Sequence, residues 1–266
     1  EINTTDSIGN TTTAAEAMAA RLRAAGFSPD DIRVLGPNPR KGNLVARYRG
    51  RAASQAKPLL LLAHLDVVEA KREDWSIDPF VFLEREGFYY GRGTSDDKAM
   101  AAIWIANLIR FKQENFVPER DIVVALTADE EGGDSNGVEW LLKNHRALIE
   151  AEFGLNEGGG GQSVQGRPIR NALQASEKIY QSFRLEATNK GGHSSLPPKE
   201  NAIYRLTAGL NRLAAFDFPV NLNEVTRAYF ERMSKLKPAN SPPICVPSRP
   251  RPRPGGRRAT RGRAVL

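Results

Sequence analysis

Three short apolar runs in this chain each lead directly into ionisable residues. Pro58–Ala63 (PLLLLA) is followed by His64, and Ile122–Thr127 (IVVALT) by Ala128 and then Asp129, Glu130 and Glu131. Phe153–Asn156 is followed by Glu157. Apolar runs this short read as central strands buried on both faces. Helical patterns lie between them. Ser95–Lys112 opens on SDDK, a cap with an acidic first turn, and continues as AMAAIWIANLI, a buried face. Val138–Ile149 is a further helical pattern, and Thr11–Gly26 an earlier one, with threonines offered as N-cap and Gly26 at C′. Asn43–Arg47 alternates as a strand, and Phe80–Glu84 with Phe88–Tyr90 flank EREG as a hairpin. This alternation predicts an α/β fold: a layered domain with a largely parallel sheet.

The pattern changes near Ser176. Ile179–Thr188 (IYQSFRLEAT) alternates as a half-exposed strand, and helices are expected over Asn201–Ala215 and Glu224–Leu236. The chain therefore divides into residues 1–176, a first domain, residues 177–237, a smaller and incomplete α+β domain, and residues 238–266, an Arg- and Pro-rich tail without periodicity, expected to be disordered. The formal charge is +7, and residues 241–266 carry seven arginines and no acid. Residues 1–240 then hold 31 basic and 31 acidic side chains. A neutral body gives no attraction to phosphate, so no nucleic-acid partner is expected. Cys245, the single cysteine, excludes a disulfide within the chain. No apolar run reaches the roughly 18 residues that a membrane span needs, so no membrane partner is expected. The chain opens at Glu1 with no basic and apolar leader to read, which leaves cytoplasmic and exported locations both open.

In open α/β sheets, ligands bind beyond the carboxyl ends of the strands. His64 sits at such an end, and Asp66 is placed to hold its second ring nitrogen, as zinc-binding histidines require. The same two residues would also serve as a turn that caps the strand. Asp96 and Asp97 open a helix, where acids are ordinary caps, but two successive carboxylates also suit a cation between them. Asp129, Glu130 and Glu131 fit either an exposed acidic loop or a neutralised metal site. Glu157 precedes four glycines, as an incidental acid in a flexible turn or as a ligand. Taken together, three strand ends and one helix start each offer a donor. Carboxylates with one imidazole suit zinc, cobalt or manganese, and their number suggests two ions about 3.5–4 Å apart.

The motifs AHLDVV, Trp75 with DPF, GRGTSDDK, DEEGG, NEGG and GGHSSLP occur in that order over residues 1–237. In combination they resemble the zinc exopeptidases and amidohydrolases that include aminoacylase, succinyl-diaminopimelate desuccinylase and related carboxypeptidases. The resemblance implies a two-zinc catalytic domain, with cobalt or manganese as substitutes, and a smaller lid or dimerisation domain through which a homodimer forms. It implies cleavage of amide bonds in small peptides or N-acyl amino acids. By motif position, His64 and Glu157 would bind one zinc, Asp96 would bridge, and Glu131 would bind the second. Glu130 would be the general base, Asp66 would orient His64, and His193 would reach the substrate. His145, in a charged helix, reads as solvated.

The chain departs from the family in one respect. The family's second zinc takes a histidine far downstream, whereas the histidines here are His64, His145 and His193. The family pattern also stops near Pro238, before the lid is complete, and the composition that follows resembles a truncated gene or a shifted reading frame. Two expectations follow: a di-zinc metallohydrolase, or a non-catalytic fragment of one.

Overall fold

The structure, a computed structural model, describes residues 2–51, 55–174 and 177–236. The chain forms two compact units, Glu1–Gly159 and Gly160–Leu266. The division falls at Gly159, ahead of the change of pattern near Ser176. The tail expected from residue 238, with Cys245, lies outside the described residues.

The first unit begins with helix α1 (Thr11–Ala24). Its cap is Asn10, not a threonine: the Asn10 side chain accepts the Thr13 N–H, while the Thr11 hydroxyl donates to the Arg40 carbonyl. Gly26, at φ 82°, closes the helix, with its N–H donating to Arg23 and that of Phe27 to Leu22. This is the left-handed C′ position that glycine occupies without strain. Five strands form one sheet. They are β1 (Ile32–Leu35), β2 (Asn43–Tyr48), β3 (Leu59–His64), and two that follow later in the chain. A short hairpin of β4 (Leu83–Arg85) and β5 (Phe88–Tyr90) comes next. Glu86 and Gly87 form its two-residue turn, both at positive φ, which matches the right-handed twist of the strands. Helix α2 (Lys98–Gln113) leads to β6 (Ile122–Thr127). Helices α3 (Gly137–Asn144) and α4 (Arg146–Ile149) lead to β7 (Phe153–Leu155).

The sheet order is β1-β2-β6-β3-β7. β6 pairs parallel to β3, and β3 parallel to β7, while β2 runs antiparallel to both β1 and β6. Four of the five strands therefore point the same way, and the sheet is largely parallel. All six residues of β6 are buried, which is why its sequence is apolar throughout. Val124 and Leu126 pack with Leu22, Ile105 and Leu108 under α1 and α2. Val123 and Ala125 face the other way, against Leu141 and Ile149. Helices thus cover both faces. One consequence positions the candidate site: β3, β6 and β7 all end at the same edge of the sheet.

In the second unit, β8 (Gly160–Val164) and β9 (Arg167–Ala172) form a hairpin turned at Gln165 and Gly166. Helices α5 (Ala202–Ala214) and α6 (Glu224–Lys235) are capped by Asn201 and Asn223. The hairpin has no counterpart in the sequence reading, which took the glycine run as a turn. The strand expected over Ile179–Thr188 does not form. No described strand pairs with it, and Ile179, Tyr180 and Phe183 stay exposed. A strand without a ladder partner leaves its backbone groups to water, and alternation alone does not hold it.

Asn43 ties this edge together. Its Oδ1 accepts the Ala128 N–H (2.9 Å) and its Nδ2 donates to the Leu35 carbonyl (3.1 Å). The side chain is fully buried, so Asn43→Leu leaves both backbone groups without partners. The expected loss is about 2–6 kcal/mol, at roughly 1–3 kcal/mol for each of the two buried orphans. Urea unfolding of the chain should show a lower midpoint with unchanged slope. An unmoved midpoint would mean that Asn43 does not bear this load.

Candidate metal centre

β3 delivers His64 to the common strand edge, opposite Thr127 of β6. The imidazole is 3% exposed. Its Nδ1 lies 3.0 Å from the Asp66 carbonyl oxygen and 3.5 Å from the Asp66 carboxylate. Its Nε2 faces three acids: Asp96 at 2.9 Å, Glu157 at 3.7 Å and Glu130 at 3.9 Å. Glu130 and Glu131 come from the turn beyond β6, and Glu157 from just beyond β7. Asp96 stands before α2, and the Asp96–Asp97 peptide is cis. Two sets of donor atoms gather within 4.8 Å: His64, Glu130 and Glu157, and His64, Asp96 and Glu131.

Asp66 and Asp97 are buried and act behind this front row. The Asp66 Oδ2 accepts the Glu131 N–H at 3.0 Å, and its Oδ1 is buried without a hydrogen bond. Asp97 stands at the N-cap position of α2 but caps nothing there. Its Oδ2 accepts the His64 N–H at 3.3 Å. The sequence offers Asp97 either as a cap or, beside Asp96, as a neighbour of a cation, and the doubled Asp-Asp is its only signal. Asp129, offered there as part of an acidic loop or of a neutralised metal site, is neutralised by Lys41. His145 lies where α3 meets α4, its ring against Trp140. In the second unit, His193 is exposed on a turn, with Nδ1 2.7 Å from the Ser195 hydroxyl.

The electrostatics follow from this crowding. Burial works to lower the His64 pKa, but the Asp66 and Asp96 carboxylates outweigh it and raise the pKa to about 10. Burial and neighbouring carboxylates push Glu130, Glu131 and Glu157 above the usual carboxylate range. Burial does the same to Asp97. Burial alone would raise Asp66, yet His64 and the Glu131 and Glu130 N–H groups hold it low. Lys98 is desolvated, and its pKa falls to about 8. Two like unit charges 4 Å apart repel by about 4 kcal/mol at an effective dielectric constant of about 20. One imidazolium cannot offset four carboxylates. A divalent cation can, and the donor set of oxygens with one imidazole fits zinc, cobalt or manganese. The orphaned Asp66 Oδ1 beside Nδ1 fits the support that a metal-bound histidine needs.

The chain is similar to known proteins of one family. Residues 60–243 match the profile of peptidase family M20/M25/M40. Human N-fatty-acyl-amino acid synthase/hydrolase PM20D1 is 36% identical over 174 residues, 62% of this chain and 33% of that protein. Succinyl-diaminopimelate desuccinylase of Stenotrophomonas maltophilia is 34% identical over 205 residues, 74% of this chain and 50% of the enzyme. Among solved structures, the M20 family metallo-carboxypeptidase Sso-CP2 of Sulfolobus solfataricus aligns at 20% identity with a TM-score of 0.47, over 57% of this chain and 33% of that one. The chain thus spans between a third and a half of the length of these relatives.

The raised His64 pKa sets a sign for metal uptake. At pH 7.5 the metal-free imidazole holds a proton, and a metal at Nε2 must displace it. Zinc binding should release about one proton and strengthen as pH rises toward 9. Calorimetry in two buffers of different ionisation enthalpy reads the release. Without metal, the folding stability lent by His64 is present below its unfolded pKa of 6.5 and is lost as pH rises through about 10. Zinc binding with no proton release at pH 7.5 would place the ion elsewhere.

Proposed function

Because the chain belongs to peptidase family M20/M25/M40, we propose that its first unit is the metal-binding half of a hydrolase that cleaves amide bonds. The observation that carries this reading is the convergence of His64 with Asp96, Glu130, Glu131 and Glu157 at one edge of the sheet. His64 and Glu157 would hold one zinc, Glu131 a second, and Asp96 both. Ions held there would supply an acidified water and a countercharge for the oxyanion of the tetrahedral intermediate.

The protein's own groups carry the proton. Glu130 is half exposed and lies 3.9 Å from the His64 Nε2, beside the donor cluster and open to water, where a carboxylate can serve as general base. It takes one proton of the attacking water and gives it to the amide nitrogen as the C–N bond breaks; the proton left on the new carboxyl group then passes to the amine, so the products are a carboxylate and an ammonium. Asp66 keeps the His64 ring oriented, with Nε2 directed at the acids. His193, from the second unit, would donate to the substrate carbonyl, and a homodimer would form through that unit. The two relatives above 30% identity are named for an N-fatty-acyl-amino acid and for succinyl-diaminopimelate. We therefore take acyl-amino acids, with small peptides of the same amide geometry, as the substrate class.

One observation favours a second reading, a chain that binds metal without turnover. Of its three histidines, His145 packs with a tilted ring against Trp140 and His193 belongs to the second unit. Asp96 and Glu131 are then the donors that the first unit offers to the second ion. Open catalytic zinc sites ordinarily keep about three protein ligands.

Adjacent glutamates separate these roles. Glu130→Gln should keep zinc affinity within about threefold, whereas Glu131→Gln should weaken the second ion by about tenfold or more, since only a ligand's loss removes metal. Metal analysis after dialysis checks both. Equal loss in the two variants would contradict the assignment. With zinc or cobalt present, hydrolysis of acyl-amino acids at about 1 per second or faster would support the catalytic reading and dismiss the second.

A further inference from the structure

We propose that Lys41 is a positioning residue for the Glu130–Glu131 pair, acting through its ion pair with Asp129. The inference rests on the reading above, in which that pair serves the metal centre. Lys41 lies in the turn before β2 and is 8% exposed. Its ammonium sits between the Asp129 carboxylate and the Asp6 carboxylate. The two acids differ in standing. The Asp129 side chain is buried, whereas that of Asp6 is 61% exposed and solvated.

Asp129 immediately precedes the pair and takes a left-handed backbone, at φ 53°. Its three oxygen acceptors are all used to fold the turn. Oδ1 accepts from Lys41, Oδ2 accepts the Ser135 N–H at 3.2 Å, and the carbonyl accepts from the Asn136 side chain at 3.1 Å. Gly133 lies over the carboxylate so closely that a Cβ there would stand 2.5 Å from Oδ2. The turn carrying Glu130 and Glu131 is therefore pinned at two points: Asp129 by Lys41, and the Glu131 N–H by Asp66. Asp66 also serves His64. The Lys41 contact serves the turn.

Removing the ammonium leaves the Asp129 carboxylate buried with one backbone N–H and no cation. A buried charge that loses its partner is strongly unfavourable, so the carboxylate turns out to water and the left-handed residue unwinds. Glu130 and Glu131 move with it. The Glu131 N–H then leaves Asp66, and this bond reports the displacement directly without any metal.

The test is residue-resolved amide hydrogen exchange on the metal-free chain, followed by zinc titration. In Lys41→Met, exchange at Glu131 should quicken by about tenfold or more, while Val123 and Val124 in β6 stay within about threefold, because the opening is local. Zinc affinity should fall by about tenfold, and Lys41→Arg should restore both readings to within about threefold by keeping a cation on Asp129. Asp129→Asn keeps the side-chain size and should repeat the Lys41→Met result if that variant does not fold. An unchanged Glu131 amide would overturn the proposal. So would equal acceleration at Glu131 and in β6, which is the mark of a merely structural pair. If wild type takes up no zinc yet the exchange results hold, the metal reading falls and the positioning role stands.

Discussion

Parallel pairing of β3 with β6 is the constraint on which the rest of this structure depends. Its register sets His64 against Thr127 and brings two polar chain exits to one edge. The parallel pairing of β3 with β7 adds Glu157 to the same edge. Burial of β6 on both faces makes this arrangement hard to escape, because a shift of register would send its apolar residues to the wrong helices. Packing energy therefore fixes acids beside one another that would separate in water. The strain appears as a histidine held protonated and glutamates held reluctant to ionise. A cation relieves both.

Behind the front row is a layer of buried polar contacts that gives the edge its shape. Asn43 binds the Ala128 N–H as the chain leaves β6, Lys41 binds Asp129, and Asp66 binds the Glu131 N–H. Three positions along this exit, Ala128, Asp129 and Glu131, thus have partners from two segments, the entry into β2 and the stretch after β3. Asp97 performs the same service for the His64 backbone. These groups stand behind the donor cluster, and they decide where the donors stand.

Much of this was legible in the sequence, and the limits are physical. β6 runs from Ile122 to Thr127, as its apolar run implied, because full burial leaves a continuous signature. The start of α2 was misplaced, at Ser95 and not Lys98, because the Asp97 carboxylate turns to His64 and does not cap the helix. Strand ends and the helix start pointed to His64, Asp96, Glu130, Glu131 and Glu157. Their spacing along the chain says nothing of the distances between side chains, which only the sheet register supplies. Lys41 with Asp129, and Asn43 with Ala128, join residues far apart in sequence and leave no local pattern. The strand expected at Ile179–Thr188 failed for the converse reason: its alternation was present, but no described strand pairs with it.

The proposed function requires two cations at this sheet edge, sharing Asp96. Anomalous diffraction at the zinc absorption edge, from crystals of the zinc-loaded chain, tests this. Two peaks about 3.5–4 Å apart are expected, one bonded to the His64 Nε2 and Glu157, the other to Glu131, with Asp96 between them. Zinc bound only at surface sites, with no peak in contact with His64, would contradict it.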